Sequence, residues 1–297
     1  MASRKPTRKP TRDASAWSRF PYEAADYAYD GVALERAWPG LHKGDCEPWP
    51  DARRVASLLR RHPAARPQGA AGHDEAALAR ALQDAWRAFH HGDFEAAWQA
   101  GAALGGLGAS AAVKAAGIYA VYLEEHKPRA EKLLLAATEL AAAASEAAPS
   151  DPNAHYFHAF ALGRYSQRIS VLAALAAGHA TRIRRSLDRA LELKPTHADA
   201  HLALGVYHAE IVGKLGALPA KLSYGASAQA ALEHFERAVA LNPAAPVTHI
   251  EFANGLLALY GDKRHADAVK LYERAAACRP RDAMERLDVE QARAELA

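Results

Sequence analysis

The sequence predicts an all-α protein, an α-solenoid of stacked helical hairpins with an extra helical region at its N-terminus. Three observations carry this expectation. Alanine makes up about a quarter of the 297 residues, and alanine has the best intrinsic helix propensity because it loses no side-chain entropy on ordering. From residue 74 onward apolar residues recur at helical spacing, as at Leu78, Leu82, Ala85 and Phe89, and no useful length alternates at period two. Helix, short break and helix then recur in units starting near residues 74, 109, 152, 196 and 245, a period of roughly 34–50 residues that signals helical hairpins sharing cores only with their neighbours.

Taken in order, residues 1–16 form a basic tail: Arg4, Lys5, Arg8, Lys9 and Arg12 stand there before the first acid, and such a segment is expected to be solvated and disordered. No apolar run follows it that would make a secretory signal or a membrane span. Cys46 and Cys278 are too few for a disulfide framework, so a cytoplasmic setting is expected. A net charge of +3, from 37 basic and 34 acidic residues, gives no reason to expect nucleic acid as a partner. Residues 17–62 read as a helical N-terminal region. Tyr22, Ala25, Tyr29, Val32 and Ala33 predict a helix over 22–37, ended by Trp38-Pro39-Gly40. A loop over 41–50 follows, and Asp51 is placed to cap a second helix carrying Val55, Leu58 and Leu59. Residues 63–73 read as a Pro/Gly/Ala linker, 74–281 as a solenoid of about five hairpins, and 282–297 as a C-terminal capping helix.

The most specific signal lies in the second helices. Ala231-x3-Phe235-x2-Ala238-x4-Pro243 is repeated as Ala268-x3-Tyr272-x2-Ala275-x4-Pro280, with a degenerate copy at Leu187-x2-Ala190-x4-Pro195. Small residues let paired helices approach, the aromatic fills the gap to the next hairpin, and the proline ends the helix. The pattern resembles the tetratricopeptide repeat (TPR) family, with Ala116-Gly117, Leu162-Gly163 and Leu204-Gly205 matching its first-helix step and Gly92-Asp93-Phe94 its inter-helix turn. That resemblance implies a right-handed superhelix whose concave face, lined by first helices, is the ligand surface. The lengthened repeats are similar to those of the regulator-of-microtubule-dynamics group and of the T-component proteins of bacterial TRAP transporters, on Leu162-Gly163-Arg164, Leu193-x-Pro195, His201-x2-Leu204-Gly205 and Lys221-x2-Tyr224-Gly225. The extra segment 213–225 reads as a Pro/Gly-rich loop able to fold over the groove.

If the helical register of Gly163 holds, Arg164 and Arg168 point into the groove with Gln167, placed to take a carboxylate or acidic peptide. Phe157, Phe160 and Phe252 are candidate aromatic anchors, and His201, His208, Lys221 and Tyr224 candidate contacts. His197 with His201, and His155 with His158, have spacing a metal would accept, but edge packing and hydrogen bonding explain them better, and no metal or cofactor is expected. His42 and Cys46 share a loop without any nucleophile motif around them. The expected function is a non-catalytic TPR scaffold binding a peptide or protein partner, an acidic group on it included, on its concave groove. The alternative is a ligand-binding subunit holding a small acidic molecule beneath the 213–225 loop.

Overall fold

The computed structural model describes residues 17–68 and 74–297; the basic tail 1–16 and residues 69–73 of the expected linker lie outside the described residues. All regular structure among them is helical. The N-terminal region holds α1 (Ala33–Leu41) and α2 (Ala52–Arg61). Hairpins follow: α3 (Glu75–His91) with α4 (Phe94–Ala103), and α5 (Ala109–Tyr122) with α6 (Lys127–Ala147). In the third, α7 (Pro152–Ser166) reaches its partner α9 (His179–Leu193) through the short α8 (Val171–Ala176). In the fourth, α10 (Ala198–Leu215) is separated from α12 (Ala228–Leu241) by α11 (Ala217–Tyr224). The fifth pairs α13 (Pro246–Tyr260) with α14 (His265–Ala276), and α15 (Ala283–Glu295) caps the row. First helices pack side by side, α3 on α5, α5 on α7 and α10 on α13. The fold is thus an α-solenoid of the TPR type.

Local chemistry sets the helix ends. The side chains of Asp51, Asp74, Asp93, Asp151, Ser170, Ser227 and Asp282 each accept a hydrogen bond from a first-turn backbone N–H, satisfying donors the helix leaves open. The repeat motif also packs as its spacing requires. Ala231, Ala238, Ala268 and Ala275 are fully buried at hairpin interfaces. Phe235 lies between Gly205 and Gly255, the small positions of α10 and α13: a Cβ on Gly205 would stand 2.7 Å from its ring, and one on Gly255 closer still.

Three expected elements differ. The helix expected over 22–37 is instead a short 3-10 turn (Ala25–Tyr27) followed by α1. Tyr29 (φ 49°) and Gly31 (φ 53°) break the periodic stripe, because left-handed backbone cannot continue a right-handed helix. Pro39 does not end α1 but sits within its last turn, where only one ladder bond is forgone. The expected 213–225 loop is largely helical: α10 runs to Leu215, Gly216 (φ 82°) breaks it, and α11 restarts with Pro219 in its first turn, where a proline has no ladder bond to lose.

The row of hairpins is closed on itself. Ala283 and Leu287 of α15 share one apolar core with Trp86 and Phe89 of α3 and with Trp38 of α1. The Tyr29 hydroxyl donates to the carbonyl of Arg281, and the Arg281 guanidinium donates to the carbonyl of Gly40. The N-terminal region therefore bridges the first hairpin and the last helix.

Candidate functional site

The loop between α1 and α2 enters the concave face. Its backbone meets α10, where the Asp199 N–H donates to the Gly44 carbonyl (3.1 Å). Asn153 of α7 donates to Glu47 (2.6 Å), and its amide oxygen meets His197 Nε2 (2.8 Å). Asp45 is 1% exposed and takes Lys114 Nζ of α5 at 2.7 Å and His42 Nδ1 at 2.9 Å. His42 Nε2 faces His90 Nε2 of α3 at 3.2 Å, and His90 Nδ1 meets Asp282 Oδ2 at 2.8 Å. Two ring nitrogens at that distance share one proton. Burial lowers the pKa of His42 to about 4, so His42 is neutral, donates from Nδ1 to Asp45 and accepts at Nε2. His90 Nε2 is then the donor between the rings. Burial opposes the Asp45 charge, but Lys114 and then His42 outweigh it and hold this carboxylate well below its usual range. Lys114, Asp45, His42, His90 and Asp282 form a buried hydrogen-bonded chain joining four parts of the sequence.

Beyond this segment the groove remains open as an inner cavity of about 190 Å³. Its walls are mainly apolar: Ile118 of α5, Phe160 of α7, Ile183 and Leu187 of α9, Leu202 and Val206 of α10, and Val247 of α13. Ala174 and Leu175 of α8 and Met284 of α15 complete the lining. Charged groups converge on it in pairs. Arg164 bonds Glu251 (3.0 Å), Lys214 bonds Glu210 (2.8 Å), and Lys114 is held by Asp45. Two carboxyls of the lining lack an ionic partner among the described residues. Asp288, 1% exposed, accepts from the Tyr122 hydroxyl through Oδ1, while its buried Oδ2 has no hydrogen-bond partner. Burial raises Asp288 to about 8 and Asp199 to about 7, the latter against the opposing charge of Lys114.

The structure separates the residues that sequence grouped. Arg164, Gln167 and Phe160 line the cavity. Arg168 does not; it donates to the Ala120 carbonyl (2.6 Å), because α7 ends at Ser166 with Gln167 as its cap and the i, i+4 geometry no longer applies. Phe157 is 1% exposed within the core, and Phe252 stacks on Phe235 with centroids 5.0 Å apart, so both rings belong to hairpin packing. His201 Nδ1 meets His234 Nδ1 (3.0 Å), and His208 stacks on His234 and accepts from the Ser227 N–H (3.3 Å). Both lie outside the cavity lining. Tyr224 gives its carbonyl to the Tyr207 hydroxyl (3.2 Å) and lines an outer cleft. The 213–225 segment does not cover the groove. Of its residues only Lys214 reaches the cavity, while Ala220 of α11 packs with Ala180 and Tyr207; α8 and α15 line the cavity instead. The His42–Cys46 loop holds no activated thiol either: both ring nitrogens of His42 are engaged, and burial pushes the Cys46 thiol up, opposite to activation.

Missed by sequence were Lys114, Tyr122, Asp199, Glu251 and Asp288. The available signal was a charged residue on the apolar face of a helix, as Lys114 is among the alanines of α5.

Asp288 gives a pH prediction. Its carboxyl titrates near 3.9 when unfolded and near 8 in the fold. The folded state therefore holds this proton more tightly. That contribution to stability is complete below about pH 4 and is lost as pH rises through 8. Asp288→Asn cannot ionise. Urea midpoints measured at pH 5, 7 and 9 are expected to shift progressively in favour of the variant, making it the more stable protein at pH 9. A wild-type advantage that grows with pH would contradict the assignment.

No curated protein matches the chain. Among matching solved structures is the crystal structure of MamA protein, 17% identical, with a TM-score of 0.34, covering 73% of this chain and 95% of its own. Residues 109–297 match the family described as regulator of microtubule dynamics protein 1-3. That span runs from α5 to the C-terminus and holds Lys114, Asp199, Asp282 and Asp288, whereas His42, Asp45 and His90 precede it. With well over half of its length matched, the chain belongs to the regulator of microtubule dynamics 1-3 family.

Proposed function

We propose that the protein is a non-catalytic helical-repeat binding protein that holds a small, mainly apolar molecule in its inner cavity. One observation carries the reading: residues 42–47 occupy the first part of the concave groove, and beyond them lies a partly open cavity with apolar walls and a few convergent polar groups. Pockets of that composition suit small ligands. An extended peptide needs a long open groove, and here the first part of that surface is taken by residues 42–47. Binding of 1-hexanol, followed by ligand-observed NMR, tests the proposal. A fragment of this size is expected to bind with a Kd on the order of millimolar. Ala203→Phe, which puts a ring into the lining, is expected to abolish binding while the protein stays folded. Hexanol binding unchanged in that variant would refute the reading.

The scaffold also supports protein partners on its outer faces, and one feature favours α11 as such a surface. Leu218 and Leu222 are 68% and 77% exposed, one turn apart and next to Lys221. A Leu218→Asp, Leu222→Asp variant is expected to lose partners captured by the wild type. Capture at wild-type levels would remove α11 from that role.

A further inference from the structure

We propose that the ligand of the inner cavity is a small amphipathic amine, its alkyl part on the apolar wall and its ammonium taken up by Asp199 and Asp288. The proposal rests on the small-molecule reading above and gives the chemistry of the ligand's polar end.

The argument is a charge inventory. Each cation lining the cavity already has a carboxylate: Lys114 has Asp45, Arg164 has Glu251, and Lys214 has Glu210. Set against these pairs, Asp199 and Asp288 are the acids left over in the lining. Asp288 is almost wholly buried, and its Oδ2 makes no hydrogen bond. The Asp199 carboxyl makes no hydrogen bond or ion pair among the described residues; it lies against Gly44, where an added Cβ would overlap its Oδ1. Buried polar groups in native proteins are otherwise almost always partnered, so an orphaned carboxyl oxygen in a cavity wall marks a place for a donor.

Among the described residues, no cation is paired with either carboxyl. Asp288 faces the Tyr122 hydroxyl of α5, Glu251 of α13, and Glu285 and Asp282 from the start of α15. Asp199 faces Lys114 of α5, Asp45 of the N-terminal segment, and Glu285 and Arg281. Burial first, and then the neighbouring acids, raise Asp288 to about 8; burial raises Asp199 to about 7 against the opposing charge of Lys114. An ammonium entering the cavity would supply the missing countercharge, and the carboxyl it meets would release its proton. An anionic ligand would meet two extra acids and no free cation. A neutral hydroxyl would satisfy a hydrogen bond but not the charge. Burying an ammonium in an apolar site is tolerated only when a carboxylate compensates it, and these two carboxyls are what the cavity offers.

The experiment compares n-hexylamine, 1-hexanol and hexanoate on the full chain. The three have the same six carbons and differ in the head group. The amine is expected to bind about tenfold tighter than the alcohol, and the hexanoate weaker than either. Calorimetry at pH 7 in buffers of different ionisation enthalpy is expected to show about one proton released per amine bound. Asp288→Asn and Asp199→Asn are nearly isosteric. Each is expected to bring the amine down toward the affinity of the alcohol, with the alcohol itself changed less than about twofold. Equal binding of amine and alcohol, tighter binding of hexanoate, or amine binding untouched by both Asn variants would overturn the proposal while leaving the small-molecule reading standing. Failure of all three probes would remove both. Amine binding retained by Ala203→Phe would put the amine outside the cavity and overturn the proposal as well.

Discussion

Lys114→Met is expected to lower folding stability by about 3–5 kcal/mol, read as a fall in the urea midpoint at unchanged slope. Lys114 is 6% exposed, and its ammonium is the charged partner of Asp45 among the described residues, Asp45 being itself 1% exposed. Methionine keeps the length and apolar character of the side chain but leaves the Asp45 carboxylate buried against a neutral His42. The cost is the uncompensated charge rather than lost packing. Adding Asp45→Asn to the same chain is expected to restore part of the loss, because the charge that lacked a partner is then gone. If the single variant is as stable as wild type, or the double variant is worse than the single, the chain from Lys114 to Asp282 does not hold the N-terminal segment in the groove. Because Asp45 and Asp282 are held below the usual carboxylate range, the stability they contribute is present above about pH 4 and is lost as pH falls through their folded values. This is opposite in sign to the effect of Asp288.

Phe235→Ala is expected to cost about 3–5 kcal/mol, and the loss should be confined to the C-terminal hairpins if unfolding is followed by hydrogen exchange. The ring is fully buried, stacks on Phe252 with an interplanar angle of 14°, and touches the small positions of two successive first helices. Gly205→Ala and Gly255→Ala test the same contact from the other side. Alanine has the better helix propensity by about 1 kcal/mol, so either substitution in an open helix would stabilise. Here each new methyl meets the Phe235 ring, and a net destabilisation of about 1–3 kcal/mol is expected from overpacking. A stabilised Gly255→Ala protein would show that the ring is free to move aside and that the repeat motif is looser than its spacing implies.

These two expectations differ in how far the sequence foretold them. The Phe235 contact was legible: Ala231, Phe235, Ala238 and Pro243 recur 37 residues later as Ala268, Tyr272, Ala275 and Pro280, and spacing along one helix face is a local property. The fold class was legible for the same reason, as was the cap at Asp51. The N-terminal region was less so. The stripe through Tyr22 and Tyr29 reads as one helix, but Tyr29 OH is drawn to the Arg281 carbonyl, 252 positions away, and a left-handed turn there is a tertiary choice. Arg164 and Arg168 show the same limit within four residues. A helix that stopped one turn early sends the first into the cavity and the second to the Ala120 carbonyl.

The sequence by itself determined the helices, the hairpin repeat and the small and aromatic positions along their interfaces, since propensity, capping and periodicity act over a few turns of one chain segment. Only the tertiary structure decided that the row of hairpins closes on itself, that the chain's own residues 42–47 fill the first part of its groove, and that Asp199 and Asp288 share a cavity wall whose cations are paired with other carboxylates. Those features depend on contacts such as His90 with Asp282, 192 residues apart. Whether a buried charge finds a partner depends on what the rest of the fold brings within about 4 Å of it, and spacing along the chain carries no record of that distance.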